Sequence, residues 1–109
     1  MRNGFKANNY CDDKGNPSGG SAFGAGFAVS WQNGPLGRDG DRLEPNGAFV
    51  EDVIDVALQR LRFFQTASDG RFECRENAEA IHHLRCALQY LDKRTRERED
   101  RKVEGTHER

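Results

Sequence analysis

Apolar residues in the second half of the chain repeat every three or four positions, which is the spacing of one face of an α-helix. One such line runs over residues 50–64 and predicts a helix that begins near Asn46, whose amide side chain is suited to capping a first turn. A second line runs over residues 80–91 and predicts a helix that begins near Arg75. Only residues 66–71 separate the two, so we expect an αα-hairpin.

The first half of the chain alternates apolar and small residues, as a β-strand with one apolar face would. The clearest alternation covers residues 23–31, and an earlier strand is expected at residues 5–10, with a long polar loop at residues 12–20 between them. A short third strand is expected around Arg42 and Leu43. The sequence therefore predicts an α+β fold: a small N-terminal antiparallel β-sheet of two or three strands, followed by a two-helix αα-hairpin.

The length of 109 residues predicts a single domain, with a glycine-rich β segment at residues 1–47 and a helical hairpin with an arginine-rich tail at residues 48–109. Apolar residues make up only 35% of the chain, so we expect burial between subunits to supplement a small core. A second apolar stripe on the first helix, formed by Phe49, Val56 and Phe63, predicts contacts on two sides of that helix. We therefore expect at least a homodimer.

Charge and cysteine content exclude several kinds of partner. The net charge of -1 argues against binding to a nucleic acid polymer. No apolar run approaches the roughly 20 residues that cross a bilayer, so we expect no membrane association. Three cysteines without close pair spacing argue against a disulfide scaffold and favour a cytoplasmic location.

The second predicted helix changes character after Leu91, where arginines replace the apolar line. Arg94 and Arg98 are four residues apart and so share one helix face. Such a pair forms a guanidinium fork that can clamp phosphate or carboxylate groups at the end of a packed helix. The alternative interpretation is a solvated face that contributes little beyond solubility.

The neighbouring charges favour that alternative for the remaining arginines. Asp92 with Arg96, and Glu97 with Arg101, are acidic and basic residues four positions apart, a spacing that stabilises helices. Gly105 is the expected end of the helix. Arg96 and Arg101 are therefore weaker ligand candidates than the Arg94 and Arg98 pair.

Aromatic side chains near arginine are candidates for stacking on a purine base. Trp31 stands at the end of its predicted strand, beside a loop that carries Arg38 and Arg42, and we expect it to be partly exposed. These three residues join the candidate ligand site.

Other chemistry is weakly supported. His82 and Cys86 are four residues apart, but no second pair completes a zinc site, so we expect neither metal nor cofactor. Gly24 and Gly26 lack the third glycine and the following Lys-Ser or Lys-Thr of a phosphate loop. No serine or cysteine stands in a recognisable nucleophile motif. The sequence therefore favours a binding protein over an enzyme.

The sequence RENAEAI at residues 75–81, followed by apolar positions at Leu84, Leu88 and Leu91, resembles the second helix of a phage-encoded hairpin domain. That domain is shared by sponges that counter CBASS defence and by the first-described type of Thoeris anti-defence sponge. The resemblance covers residues 48–107 by pattern and residues 1–47 by architecture alone.

The resemblance implies a phage anti-defence protein of the host cell cytoplasm that sequesters cyclic nucleotide second messengers without cleaving them. The implied ligands are cyclic ADP-ribose isomers and cyclic di- or trinucleotides, held in pockets shared between the subunits of a homodimer or hexamer. Asn77 and Arg94 match polar groups of that pocket, and Asp100 matches a ribose contact. Lys102 precedes Val103 where the pattern would have a glycine, so the turn that follows is expected to differ.

Two other functions stay open. A protein-interaction module would dock through the stripe of Phe49, Val56 and Phe63. A nucleotide hydrolase has less support, because the sequence offers no nucleophile or metal cluster.

Overall fold

The computed structural model describes residues 4–37 and 39–100, with the side chains of residues 39 and 100 excepted. It has three strands and two long helices in the expected order, which confirms the α+β fold. The chain divides after Phe49, and again after Glu97, into two compact units. The elements are β1 (Phe5–Cys11), β2 (Pro17–Gly24), β3 (Phe27–Ser30), a 3-10 helix η1 (Asp39–Asp41), α1 (Val50–Gly70) and α2 (Arg75–Asp100).

The three strands form an antiparallel sheet in the order β1-β2-β3. Gly24 of β2 lies between Phe5 and Phe27 on the two neighbouring strands. The rings of Phe5 and Phe27 meet edge to face, 6.1 Å apart between their centres. The ring of Phe27 lies directly over Gly24, where a larger side chain would collide with it. Glycine is thus required at this position for the two aromatic rings to approach each other.

The prediction of one strand over residues 23–31 is wrong. A two-residue turn at Ala25 and Gly26 separates β2 from β3, and Gly26 has the positive φ of 87° that such turns favour. Because Gly24 pairs with Phe27, Phe23 and Phe27 lie on opposite faces of the sheet. The preceding loop is shorter than predicted, since β2 already begins at Pro17.

The predicted third strand around Arg42 and Leu43 is also wrong. These residues follow η1 in an irregular loop, in which the Leu43 N–H donates to the Leu36 carbonyl at 2.6 Å. The real third strand, β3, lies earlier in the chain. After β3 the chain makes an isolated parallel bridge between Trp31 and Ala48.

Helix α1 begins at Val50, and the predicted beginning near Asn46 is wrong. The Asn46 side chain instead bonds to the backbone of Asn33, which removes it from the helix. The predicted break at residues 66–71 is confirmed near the end of α1, which extends to Gly70. Ala67, Ser68 and Asp69 have non-helical backbone angles there.

Helix α2 begins at Arg75 as predicted and continues through the arginine-rich turn to residue 100. The predicted helix end at Gly105 lies outside the described residues, as does Arg101 of the predicted pair with Glu97. Ile81, Leu84 and Leu91 on its apolar line are half-buried. Within residues 4–37 and 39–100, neither helix is long and apolar enough to span a bilayer.

Contacts at both ends of the helix pair show that α1 and α2 run antiparallel. At the connecting end, the Gln65 side chain accepts a hydrogen bond from the Cys74 N–H and donates one to its carbonyl, each 3.1 Å long. At the open end, Glu51 and Arg94 form an ion pair. The αα-hairpin is therefore confirmed, and Leu58 is its most buried apolar residue among those described, at 3% exposure.

Much apolar surface stays exposed. The second stripe predicted on the first helix, Phe49, Val56 and Phe63, is open to solvent, and Val56 is 68% exposed. Other large apolar side chains exposed in the described chain include Phe5, Tyr10, Leu43, Phe72 and Tyr90. Exposed apolar patches of this kind mark interaction surfaces in soluble proteins.

Candidate functional site

Arg94 lies on the last third of α2, where the helix carries polar residues in place of its apolar line. Its side chain is 61% exposed, and Nη2 lies 3.8 Å from Oε1 of Glu51 in the first turn of α1. That distance is an ionic contact but too long for a hydrogen bond. A guanidinium carries five N–H donors, so Arg94 retains donors for an anionic ligand.

The neighbouring arginines differ from Arg94 in their contacts. Arg96 pairs with Asp92 at 3.1 Å, which confirms the predicted intrahelical pair. Arg98 lies one turn after Arg94 on the same helix and is half-buried. Arg98 also has an interaction of its own, so it is not a free cation. Arg94 therefore has a looser ion pair than Arg96, at 3.8 Å against 3.1 Å, and no hydrogen bond to its carboxylate has to be broken before it binds a ligand.

Asn77 lies in the first turn of α2 and is half-buried. Its N–H donates to the Cys74 sulfur at 3.4 Å, so Cys74 serves as a weak cap for the helix. The same end of α2 has a shallow, open depression that is lined by Arg75, Glu76 and Glu79. Asn77 therefore lies at the connecting end of the hairpin, in the helix turn that also carries the charged residues Arg75, Glu76 and Glu79.

The structure does not bring Asn77 and Arg94 together within one chain. They are 17 positions apart on one continuous helix, so about 26 Å of helix axis separates them. A single small ligand cannot bridge that distance. The side chain of Asp100, the third residue matched by resemblance, lies outside the described residues.

The loop after β3 holds the remaining predicted residues. Trp31 is half-buried, in line with the expected partial exposure, and its N–H donates to the Gly20 carbonyl at 3.0 Å. Arg42 is exposed and has an interaction of its own. Arg38 lies outside the described residues. The loop is thus anchored to the sheet through the backbone of Trp31.

A side-chain amide closes this loop. Asn46 Oδ1 accepts from the Asn33 N–H at 2.8 Å, and Asn46 Nδ2 donates to the Asn33 carbonyl at 3.0 Å. Gln32 Oε1 accepts from the Asn46 N–H at 2.9 Å. At Gly47 a Cβ would lie 2.5 Å from the Trp31 carbonyl, so only glycine lets the returning chain pass. The loop is therefore closed by neutral hydrogen bonds between side-chain amides and backbone groups.

A second aromatic and arginine cluster was not predicted from the sequence. The Arg60 guanidinium lies 4.9 Å from the ring centre of Phe63 and 4.8 Å from that of Phe64, within cation–π range. All three side chains are exposed on α1. Phe63 and Phe64 follow Arg60 by three and four residues. On a helix this spacing brings side chains together, so the sequence did carry a signal for the cluster. This cluster adds a positive charge to the exposed apolar stripe.

His82 and Cys86 are the two residues of α2 whose spacing in the sequence made them candidate metal ligands. Cys86 Sγ lies 3.7 Å from His82 Nε2, a contact between neighbouring turns. Across the described part of the chain, no group of three or more His, Cys, Asp or Glu side chains is arranged to hold a metal ion. The pair is explained by packing along one helix face.

Comparison with known proteins places this hairpin in context. The family described as "Acb2/Tad1, hairpin domain" matches residues 26–96, which include β3, the loop after it, α1 and most of α2. The protein named "Thoeris anti-defense 1" of Bacillus phage SBSphiJ7 is 49% identical to the chain over 80 residues. The match covers 73% of this chain and 51% of that relative, so the chain spans about half the relative's length.

Proposed function

The chain belongs to the Acb2/Tad1 hairpin domain family, and from that premise we propose that it is a phage anti-defence protein that sequesters cyclic nucleotide second messengers. The relative's name, Thoeris anti-defense 1, supports action against Thoeris defence. The proposed ligands are cyclic ADP-ribose isomers, with cyclic di- and trinucleotides as further candidates. The protein binds them in the host cell cytoplasm and does not cleave them.

The accessible guanidinium of Arg94 is the observation that carries the proposal. The Arg94 side chain is more exposed than that of its partner Glu51, and it keeps hydrogen-bond donors for a phosphate. A nanomolar dissociation constant corresponds to about -12 kcal/mol. Three contributions together can supply a binding free energy of that size. They are charge-assisted hydrogen bonds from arginine, stacking of the base on an aromatic ring, and a site that is already ordered before the ligand binds.

The distance between Asn77 and Arg94 supports pockets built by more than one subunit. Because one helix holds them about 26 Å apart, a pocket that uses both takes them from different copies. The exposed stripe on α1 supplies apolar surface for such an assembly. We therefore propose a homodimer as the smallest functional unit, with a hexamer as a larger form.

The remaining predicted residues have supporting roles in this proposal. Trp31, on its anchored loop, is proposed to stack on the base, and Arg42 and Arg38 to add positive charge beside it. Arg98 and Asp100 are proposed to extend the Arg94 site toward a second phosphate and a ribose. Mutating each of them singly, after Arg94, would rank their contributions.

Ligand capture followed by heat release tests the proposal. The protein is incubated with each candidate messenger and filtered, and the retained fraction is heated before chromatography of the supernatant. We expect one messenger to disappear from the filtrate and return intact after heating. A messenger returned in cleaved form, with several turnovers per protein, would support a hydrolase instead.

Arg94→Ala should weaken binding by about 3 kcal/mol, on the order of 100-fold, because a charged hydrogen-bonding group is lost. Arg85→Ala is the matched control, since Arg85 is exposed on the same helix about 14 Å away. Equal binding by both variants would contradict the role of Arg94. Circular dichroism establishes that both variants keep their helices.

The protein-interaction module is the second candidate function, and the exposure of Val56 and Phe63 favours it. It predicts a monomer that binds no messenger in the capture experiment. Native mass spectrometry of the purified protein distinguishes the two functions, because the sponge is expected as an oligomer that carries ligand.

A further inference from the structure

Glu51 and Arg94 are an unequal ion pair. Oε1 of Glu51 lies 3.8 Å from Nη2 of Arg94, without a hydrogen bond between them. The Glu51 side chain is 31% exposed, whereas that of Arg94 is 61% exposed. The carboxylate is therefore the more confined partner, and the guanidinium is the one with room to move.

The surroundings of the two side chains strengthen this asymmetry. Glu51 stands in the first turn of α1, where the helix dipole favours a negative charge whether or not Arg94 stays near. Arg94 has a long side chain with many rotamers, and Glu51 is its described contact. Breaking the pair therefore leaves Glu51 stabilised and frees Arg94 for another anion.

We propose that Glu51 is an internal competitor for Arg94, which occupies the guanidinium in the free protein and yields it to a phosphate of the ligand. The inference rests on the proposed function, because it concerns the same arginine. A phosphate that reaches Arg94 must replace the carboxylate contact and tolerate its negative charge nearby. Glu51 thus sets the affinity of the site for anions, and a ligand without a phosphate lacks the charge needed to displace it.

Glu51→Gln tests the competition, because it removes the charge and keeps the shape of the side chain. We expect the variant to bind the messenger about fivefold more tightly than the wild type, the range of an exposed ion pair. The gain should shrink as salt is raised, because the interaction is ionic. In an Arg94→Ala background the same substitution should change nothing, since the competitor then has no target.

Two further variants test whether the effect of Glu51→Gln comes from the charge at residue 51. One tests the shape of that side chain, and the other tests the net charge of the protein. Glu51→Asp keeps the negative charge near Arg94 on a shorter side chain, so it should tighten binding less than Glu51→Gln does. Asp13→Asn removes the same charge from the exposed turn between β1 and β2, outside the helix pair that carries Glu51 and Arg94. Because Asp13 is not among the candidate ligand residues and its substitution changes the overall charge alone, Asp13→Asn should bind as the wild type does.

Inorganic pyrophosphate gives a readout that does not depend on the identity of the messenger. The Nε–H signal of Arg94 is followed by NMR while pyrophosphate is added to the wild type and to Glu51→Gln. A midpoint about fivefold lower in the variant supports the competition. Equal midpoints, or weaker binding by the variant, would overturn it.

The two proposals fail in different ways. If no messenger binds the wild type but the pyrophosphate midpoints differ as expected, the proposed function fails and the competition stands. If messengers bind the wild type and Glu51→Gln has the same affinity as Asp13→Asn, the proposed function stands and the competition is wrong.

Discussion

The β-sheet with its following loop and the helical hairpin are stabilised in different ways. In the first region, conformation depends on backbone hydrogen bonds and on glycines at close approaches, such as Gly20 and Gly47. In the second, it depends on apolar residues at helical spacing around Leu58. Changes to backbone geometry should therefore affect the sheet most, whereas changes to side-chain volume should affect the hairpin most.

The two regions nevertheless share one device, a side-chain amide that bonds both to the N–H and to the carbonyl of a distant residue. Asn46 does this to Asn33 in the loop, and Gln65 does it to Cys74 at the hairpin connection. Each amide takes the place of a strand partner for one residue. Among the residues described, only Leu36 and Leu58 are buried apolar side chains, so these closures supplement a small core.

Gly20→Ala should have the largest effect on the sheet region. Gly20 has a φ of 144°, and an added Cβ would overlap the carbonyl oxygen of Asn8 on β1. We expect a loss of about 4 kcal/mol or more in unfolding free energy, with loss of hydrogen-exchange protection in β1. Chemical denaturation followed by circular dichroism measures the free energy.

Gly26→Ala is the matched control for this prediction. Gly26 also has a positive φ, 87°, but nothing lies within 4 Å of its added Cβ. The cost should be limited to about 1–2 kcal/mol of backbone strain. Similar losses for both glycines would show that close strand packing does not determine this region.

Leu58→Ala should have the next largest effect, in the hairpin. Leu58 is 3% exposed, and removing its side chain leaves a cavity that costs about 3 kcal/mol. Helical circular dichroism during urea unfolding reports the change. Val56→Ala on the same helix should cost about 0.5 kcal/mol or less in dilute protein, because Val56 is 68% exposed. A loss at Val56 that grows with protein concentration would locate it in a subunit interface.

Asn46→Ala should have the smallest effect of the three. It removes two hydrogen bonds to Asn33, which together contribute about 1–2 kcal/mol. Hydrogen exchange at the Asn33 amide should accelerate while exchange in β1 is unchanged. Asn33→Ala is the control, because the backbone groups that Asn46 binds stay in place. Fast exchange in both variants would indicate that the loop depends on the Asn33 side chain.

The helical region was predictable because its signal is local. The spacing of apolar residues indicated both helices, and Arg75 was the correct beginning of α2. Asn46 misled the prediction for α1, since its amide suits a helix cap as well as it suits the loop closure it makes. Only the path of the loop determines which of these two bonds forms.

The sheet was predicted in kind but not in detail. Alternation continued from Phe23 through Phe27 to Trp31, so the sequence pattern did not reveal the turn at Ala25 and Gly26. A two-residue turn places Gly24, not Phe23, on the face of Phe27. Alternation along a chain therefore does not distinguish one long strand from a tight hairpin.

The candidate site was predictable only residue by residue. The sequence identified Arg94 but not its contact with Glu51, which depends on the antiparallel pairing of α1 and α2. Glu51 and Arg94 are separated from the connection between the helices by similar numbers of residues. In an antiparallel hairpin, this similarity was the sequence signal that could have predicted their contact. The separation of Asn77 from Arg94 follows from the unbroken course of α2, which resemblance alone did not reveal.

The order of the strands and helices has a consequence for how the chain folds. Each strand pairs with the next one along the chain, and the two helices are also consecutive. Contacts between segments adjacent in sequence require little loop-closure entropy before they form. Isolated β-hairpins form within about 1–10 μs, and helices form faster still. The topology therefore lets each hairpin form as soon as its own residues have been synthesised.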